Sequence, residues 1–150
     1  ALRDPYRRAL AGRGTAGDEA AYAERARVQQ SSLKGGVLLG ALHDAQVSNL
    51  RAGAASNPPE EIMASAALML QSRHVAFLGL RASHGIAHHL HYTFGLLSHT
   101  GRLLHDLAGA LPDQLEVLGP EDVLVAVSQA PYTRQTVEAV QFAVQTGVPV

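Results

Sequence analysis

One stretch, residues 75–97, constrains the fold more than any other part of the chain; its sequence is VAFLGLRASHGIAHHLHYTFGLL. The VAFL segment is continuously apolar, which is typical of an interior strand of a parallel sheet that is covered on both faces. A glycine-containing turn and a helical segment follow directly. The stretch therefore predicts a buried strand, a tight turn and a helix whose N-terminal amides face the turn, an arrangement suited to binding anions.

A second stretch, residues 123–144, repeats this plan as VLVAVS, QAPYT and RQTVEAVQFAV. Between the two we expect a short strand over residues 101–105 and a partly helical crossover over residues 108–119. Strands that alternate with helical crossovers indicate an α/β fold, a three-layer doubly wound parallel sheet. The carboxyl ends of such strands share one edge, so the two turns are expected to converge on one pocket. Residues 148–150 predict the start of a further strand, and we expect the C-terminal part of the domain to be missing from this sequence.

The residues ahead of these units predict a connector and linker helices. Residues 1–17 contain Pro5 and three glycines, which favour a connector. Residues 18–58 predict a helical linker, with one helix beginning at Asp18 and another at Val37. Asn57, as an N-cap, and the prolines after it predict the start of the next helix, which ends near Ser72. The expected division is therefore 1–17, 18–58 and a domain over 59–150.

Composition excludes several classes of protein. A chain of 150 residues with 47% apolar and 17% charged residues has enough material for one globular core. Cysteine is absent, which excludes disulfides, thiolate catalysis and cysteine-based zinc sites. The net charge of −1 argues against a surface wholly devoted to nucleic acid. The sequence has neither an apolar run of about 18 residues nor a signal-peptide pattern, so we expect a soluble, cytoplasmic protein that does not contact a membrane.

The first turn, residues 79–83, carries groups that suit a phosphate. Gly79 permits a sharp exit from the strand, Ser83 can cap the helix or donate its hydroxyl to a ligand oxygen, and Arg81 offers a bidentate cationic fork. The alternative is that Ser83 only caps the helix and Arg81 points to solvent. A dinucleotide site is disfavoured because the Rossmann pattern requires glycine where Arg81 stands, and Asp106 is a weak candidate for a ribose contact. We therefore predict no cofactor.

The second turn, residues 128–133, offers a comparable set of polar groups. The hydroxyls of Ser128 and Thr133 and the amide of Gln129 can form hydrogen bonds with phosphate or sugar hydroxyls. The alternative makes Thr133 a helix cap and Tyr132 a packing residue. Polar residues directly after both buried strands favour a ligand site.

Four histidines follow the first turn: His84, His88, His89 and His91. On a helical wheel, His84, His88 and His91 lie together and predict a face turned to solvent, a partner subunit or the mouth of the site. The opposite stripe consists of Ile86, Leu90, Thr93 and Leu97. A pair spaced i,i+4 can chelate a metal, but the helix from His84 to His91 spans about 10.5 Å, which disfavours one ion shared by three histidines. We predict no metal site, and we expect His84 to contact ligand.

The segments GLRAS and GPEDVLVAVSQAPYTRQTVEAVQFAVQTGVPV resemble the sugar isomerase (SIS) domain, in particular that of the RpiR family of bacterial transcription regulators. The resemblance covers residues 59–150; the preceding helices are similar to the interdomain linker of that family, and DPYRRAL at residues 4–10 resembles the end of its helix-turn-helix domain. It implies a flavodoxin-like parallel sheet between helices, a homodimer and a bound sugar phosphate.

Position by position, the resemblance implies that Ser83, Ser128 and Thr133 supply the hydroxyls of the phosphate turns, with Gln129 in a supporting position. Arg81, His84 and Tyr132 complete the predicted ligand site. One departure concerns Ala130 and Pro131, which stand where many such domains have Ser-Gly. Proline has no amide proton, so one phosphate donor is lost.

We therefore favour a ligand-sensing domain of a transcription regulator, in which a sugar phosphate controls DNA binding through an upstream domain. The alternative is a sugar-phosphate isomerase or a related SIS enzyme, for which His84, His105 and Glu138 are nominal bases. No catalytic pattern supports them, and we predict no catalytic residue. A third hypothesis is a purely structural dimerisation domain, which would bind no phosphosugar.

Overall fold

The computed structural model describes residues 36–150. The predictions made for residues 1–35, including the connector and the helix from Asp18, lie outside the described residues. The chain divides into two compact units, of which the first ends at Ala64 and the second runs from Ser65 to Val150. The division at residues 17 and 58 that the sequence suggests stays a prediction.

The first unit contains helix α1 (Gly36–Ser56) and the beginning of helix α2 (Pro59–Gln71), close to the predicted bounds. The prediction that Asn57 caps α2 is wrong. The carbonyl of Pro58 accepts the first amide hydrogen bonds of α2, and the Asn57 side chain instead donates to the Gly53 carbonyl at 2.6 Å. The last carbonyls of a helix lack intrahelical partners, so this bond completes the end of α1.

Helix α1, at 21 residues, is the longest helix in the part of the chain that is described. Its large aliphatic side chains Leu39 and Leu50 are 71% and 75% exposed. Neither α1 nor any other helix within residues 36–150 has the length and apolar composition required to cross a membrane.

The second unit is built on three parallel strands: β1 (Val75–Gly79), β2 (Gly101–Leu104) and β3 (Val123–Val127). Their order in the sheet is β2-β1-β3, and Val75 pairs with Gly101 on one side and with Val123 on the other. The chain therefore moves from β1 to one neighbour and then crosses back over β1 to the other. The predicted parallel sheet is confirmed.

Helices connect these strands on both faces of the sheet. Helix α3 (His84–Gly95) follows the first turn, helix α4 (Leu111–Glu116) lies in the crossover to β3, and helix α5 (Arg134–Gln145) follows β3. Helix α3 packs on β1 and β2, whereas α4 contacts α5, which packs on β3. The two crossovers run in opposite directions, so right-handed connections place them on opposite faces. This is the doubly wound α/β architecture expected from the sequence.

The core is centred on β1. Val75, Ala76, Phe77 and Leu78 are at most 2% exposed, as predicted for an interior strand. The ring of Phe77 lies 5.5 Å from that of Phe94 in α3, measured between centroids. Because β1 is covered on both faces, its carboxyl end is held rigidly where the first turn leaves the sheet.

The residues after α5 return to the sheet. Gly147 has a φ of 82°, and the amides of Gly147 and Val148 donate to carbonyls of the last turn of α5, which forms a Schellman end. The amide of Leu124 in β3 donates to the Pro149 carbonyl at 2.9 Å. This bond lies on the side of β3 away from β1, but residues 148–150 do not themselves form a strand, so the further strand stays a prediction.

The prediction for His91 is wrong. Its ring packs edge-on against Phe77, with 6.1 Å between centroids, on the sheet-facing side of α3 together with Ala87 and Phe94. The stripe placed opposite the histidines is largely exposed, with Ile86 at 45% and Leu97 at 81%. The small side chain of Ala87, fully buried against β1, lets the helix approach the sheet, and residues spaced i, i+4 and i+7 follow it inward.

Candidate functional site

The two predicted turns leave neighbouring strands at the same edge of the sheet. Gly79, the last residue of β1, is paired with Val127, the last residue of β3. Adjacent strands lie about 4.8 Å apart, so the turns begin side by side. The strand order reverses between β1 and β3, and ligands of doubly wound sheets bind in the crevice outside the strand ends at such a switch point.

The first turn is packed tightly against the end of β1. A Cβ on Gly79 would clash with the carbonyl oxygen of Ser83 and lie only 2.8 Å from the Cβ of Ala87. Arg81 adopts a φ of 55°, in the left-handed region that non-glycine residues rarely occupy. Only glycine at position 79 leaves room for this close return of the chain.

The turn brings Arg81, Ser83 and His84 to the start of α3, with Arg81 and His84 exposed and Ser83 only 7% exposed. Ser83 occupies the N-cap position with helical backbone angles, φ −78° and ψ −9°, and its side chain makes no capping hydrogen bond. An N-cap hydroxyl reaches the helix amides from extended backbone, which Ser83 lacks. The interpretation of Ser83 as a simple cap is therefore wrong.

The second turn carries Ser128, Gln129, Tyr132 and Thr133 into the start of α5, with Gln129 exposed and the other three half-buried. Thr133 has the extended backbone of an N-cap, φ −65° and ψ 123°, and its side chain makes no capping hydrogen bond either. The peptide bond before Pro131 is cis. Both turns thus place serine or threonine residues at a helix start without using their hydroxyls as caps.

Two residues in the first turn of α5 were not identified from the sequence. The Nε2 atom of Gln135 donates a hydrogen bond to Oδ2 of Asp106, which lies after β2, at 2.5 Å. Thr136 is 1% exposed, and its buried hydroxyl has no hydrogen-bond partner among the described residues. The only sequence signal for either was its position within three residues of Thr133.

The nominal bases of the isomerase hypothesis differ in their surroundings. His84 is exposed at the start of α3, and Glu138 accepts a 2.7 Å hydrogen bond from Arg134 on the outer surface of α5. The Nδ1 atom of His105 accepts the Leu107 amide at 3.4 Å. Within residues 36–150, no three histidine, aspartate or glutamate side chains are grouped as ligands for one metal ion. Of the three candidates, His84 is the one that directly follows a predicted turn.

A separate polar cluster lies at the opposite edge of the sheet, where the strands begin. The carboxylate of Asp122, with no exposed side-chain surface, accepts hydrogen bonds from Arg73 Nε and Nη2 at 2.9 and 2.6 Å, from His74 Nδ1 at 3.1 Å and from the Gly119 amide at 2.8 Å. Arg102 can only donate, and its Nη2 lies 3.0 Å from His74 Nε2, which fixes the acceptor on Nε2 and the proton on Nδ1. Each member of the cluster therefore has a partner.

The hydrogen bonds from Arg73 lower the pKa of the Asp122 carboxyl well below its ordinary value, although burial acts in the opposite direction. The Gly119 amide and His74 act with Arg73. The bond in turn raises the pKa of Arg73. Asp122 thus ties the residues before β1 to the residues before β3, at the edge remote from the two turns.

Comparison with known proteins agrees with this architecture. The family model described as the SIS domain matches residues 68–150. No curated protein matches the chain significantly. Among solved structures, the chain is similar to the sugar isomerase domain of an RpiR transcription factor from Sphaerobacter thermophilus, with 28% identity and a TM-score of 0.70 over 75% of this chain. It spans 63% of the length of that solved chain. The resemblance seen in the sequence is confirmed, and the chain belongs to the SIS domain family.

Proposed function

We propose that this chain is the ligand-sensing domain of a transcription regulator and binds a phosphorylated sugar in the crevice between its two turns. The observation that carries the proposal is the pairing of Gly79 with Val127, which sets two turns rich in hydrogen-bonding groups side by side at the switch point of the sheet. Membership of the SIS family and the similarity to an RpiR transcription factor support the regulatory role.

In the proposed site, the phosphate lies between the starts of α3 and α5. Ser83, Ser128 and Thr133 donate their hydroxyls to phosphate oxygens, and the backbone amides at the two helix starts add donors and a favourable dipole. Arg81 supplies the fixed positive charge. Pro131 contributes no amide, so hydroxyl groups take a larger share of the binding than backbone donors do.

Three other side chains complete the site at its rim. The Gln129 amide and the Tyr132 hydroxyl can both donate and accept, which suits the sugar part of the ligand rather than the phosphate alone. His84, exposed at the first position of α3, lies within reach of a ligand held by Ser83, the residue before it. We assign these three residues to orientation of the sugar.

Titration calorimetry of the full chain with hexose 6-phosphates and pentose 5-phosphates tests the site. Replacing Ser128 by alanine removes one charge-assisted hydrogen bond, and we expect affinity to fall about ten- to a hundred-fold with the fold intact. Ser98→Ala is the matched control: Ser98 is also half-buried, but it precedes β2 at the opposite edge of the sheet. Equal affinity of Ser128→Ala and wild type would remove Ser128 from the site, and no binding by wild type would refute the site itself.

The regulatory part of the proposal needs the protein that carries this chain together with its upstream DNA-binding domain. A ligand alters DNA binding only if it binds two arrangements of the protein, here two arrangements of a homodimer, with different affinity. We expect a sugar phosphate that binds this chain to change the affinity of that protein for DNA from upstream of neighbouring genes. Gel retardation measured with and without the sugar phosphate tests this. If that protein retarded no such DNA with or without the sugar phosphate, the domain would not serve a regulator.

A further inference from the structure

A third segment reaches the edge where the two turns lie. Strand β2 ends at Leu104, and Asp106 follows two residues later, half-buried. Because β2, β1 and β3 are parallel and adjacent, Asp106 emerges at the same edge as the two turns. Nothing in the proposed phosphate contacts uses this carboxylate.

The hydrogen bond between Gln135 and Asp106 shows where the segment goes. Strands β2 and β3 are separated by β1, so their ends lie about 9.6 Å apart at the usual spacing. Gln135 is the second residue of α5, two positions after Thr133, yet its side chain bonds the carboxylate that follows β2. This bond therefore joins the segment after β2 to the start of the helix that follows the second turn, although β1 lies between the two strands.

The backbone beside Asp106 is fixed by Gln114 of α4. The amide of His105 donates to Gln114 Oε1 at 3.2 Å, and Gln114 Nε2 donates to the carbonyls of His105 and Ala110 at 2.7 and 2.8 Å. One side chain thus holds the chain on both sides of Asp106. A group held in place before the ligand arrives loses little freedom on binding, which is the condition for a selective contact.

The chemistry of the carboxylate complements that of the turns. Ser83, Ser128 and Thr133 offer donors, which suit a phosphate. An ionised carboxylate is only an acceptor and repels phosphate, but it can accept from several hydroxyl groups through its two oxygens, of which Gln135 uses one lone pair. Donors at one end of a crevice and an acceptor at its side match a molecule that carries a phosphate at one end and hydroxyls along its length.

We propose that Asp106, positioned by Gln135, accepts hydrogen bonds from the hydroxyls of the bound sugar and makes the site select phosphorylated sugars over inorganic phosphate. The inference rests on the proposed function, because it assumes that the two turns hold the phosphate. It assigns the selection among phosphate compounds to the segment after β2.

The test compares the affinities of the full chain for inorganic phosphate and for the hexose 6-phosphate or pentose 5-phosphate that wild type binds most tightly. We expect Asp106→Ala to weaken sugar-phosphate binding about tenfold or more, while inorganic phosphate binds as tightly as before or more tightly because a negative charge is gone. Gln135→Ala should give a smaller change in the same direction. Ser128→Ala should weaken both ligands, and Asp113→Asn, which removes an exposed carboxylate of α4, should change neither.

Thermal unfolding shows whether the Asp106→Ala variant folds. If it does not, Asp106→Asn takes its place in the test, because asparagine keeps the volume of the side chain and an oxygen that accepts from Gln135. The proposal is overturned if both Asp106 variants leave the ratio of the two affinities unchanged, or if wild type binds no sugar phosphate more tightly than inorganic phosphate. Absence of binding by either ligand would instead refute the site of the proposed function. The three failures are therefore distinguishable.

Discussion

Replacing Asp122 by asparagine should destabilise the fold without touching the proposed ligand site. The substitution keeps the volume of the side chain but removes a buried charge that accepts four hydrogen bonds from Arg73, His74 and Gly119. An asparagine offers one acceptor oxygen, and its amide group faces donors. At least one buried donor, such as the Gly119 amide, then lacks a partner.

The expected loss follows from these contacts. Breaking a buried ion pair by removing one partner typically costs about 3–5 kcal/mol, because the remaining charge is buried without compensation. Here the side chain of Arg73 is 50% exposed and recovers part of its solvation in water, so we expect about 2–3 kcal/mol. For a chain of this length that corresponds to a fall in melting temperature of about 6–10 °C. Thermal and urea unfolding of the full chain, followed by circular dichroism, measure both quantities.

The same residue predicts a dependence of stability on pH. The pKa of the folded Asp122 carboxyl lies below its ordinary value of 3.8, so the unfolded state takes up this proton at a higher pH than the folded state does. Its contribution is fully present above the ordinary pKa and is lost as pH falls below it. The difference in unfolding free energy between wild type and Asp122→Asn should therefore shrink between about pH 5 and pH 2. Asp113→Asn, an exposed control, should show neither effect. If Asp122→Asn lost less than about 1 kcal/mol at pH 7, or if its difference from wild type did not depend on pH, the structural role of the cluster would be refuted.

Two further predictions concern the turns. Gly79→Ala should cost about 1–3 kcal/mol, because the new Cβ meets the Ser83 carbonyl and Ala87. Gly85→Ala is the control: its Cβ meets no atom within 4 Å, and alanine is favoured over glycine in a helix, so this variant should equal or exceed wild-type stability by up to about 1 kcal/mol. Equal stability of the two variants in urea unfolding would contradict the close packing of the first turn. Thr136→Val should raise stability by about 1 kcal/mol, since it replaces an unpartnered buried hydroxyl with a methyl group, and a loss of stability in the same assay would mean that the hydroxyl has a partner.

What the sequence predicted well is what short-range patterns determine. The apolar run of β1 identifies an interior strand, because a strand covered on both faces carries apolar residues at successive positions instead of alternating apolar and polar ones. Gly79 marks the sharp exit from β1, because the Ser83 carbonyl leaves no room for a Cβ at that position. The departure of the two turns from the same edge follows from parallel strands alone, since the carboxyl ends of such strands must share an edge.

What it missed depends on register between distant segments. Arg73 and Asp122 are 49 residues apart, and Asp106 and Gln135 are 29 apart; each pair meets only because of the order of the strands and the path of the crossovers. The face of α3 was also mispredicted. Several large aliphatic residues favoured the wrong side, whereas the face that packs is determined by how closely the backbone can approach the sheet at Ala87.

The polar side chains at the two edges of the sheet differ in their hydrogen bonding. This difference assigns one edge to stability and the other to binding. At the edge where the strands begin, Asp122 has donors for its carboxylate from three residues. At the other edge, neither Ser83 nor Thr133 uses its hydroxyl as a cap, and Arg81 holds a left-handed backbone that costs free energy. Uncapped helix starts and a strained residue at the same edge are the pattern expected where binding, rather than folding, decides the choice of residue. Variants of Asp122 should therefore lower the melting temperature and leave the selectivity for sugar phosphates unchanged. Variants of Asp106 should lower that selectivity and leave the melting temperature nearly unchanged.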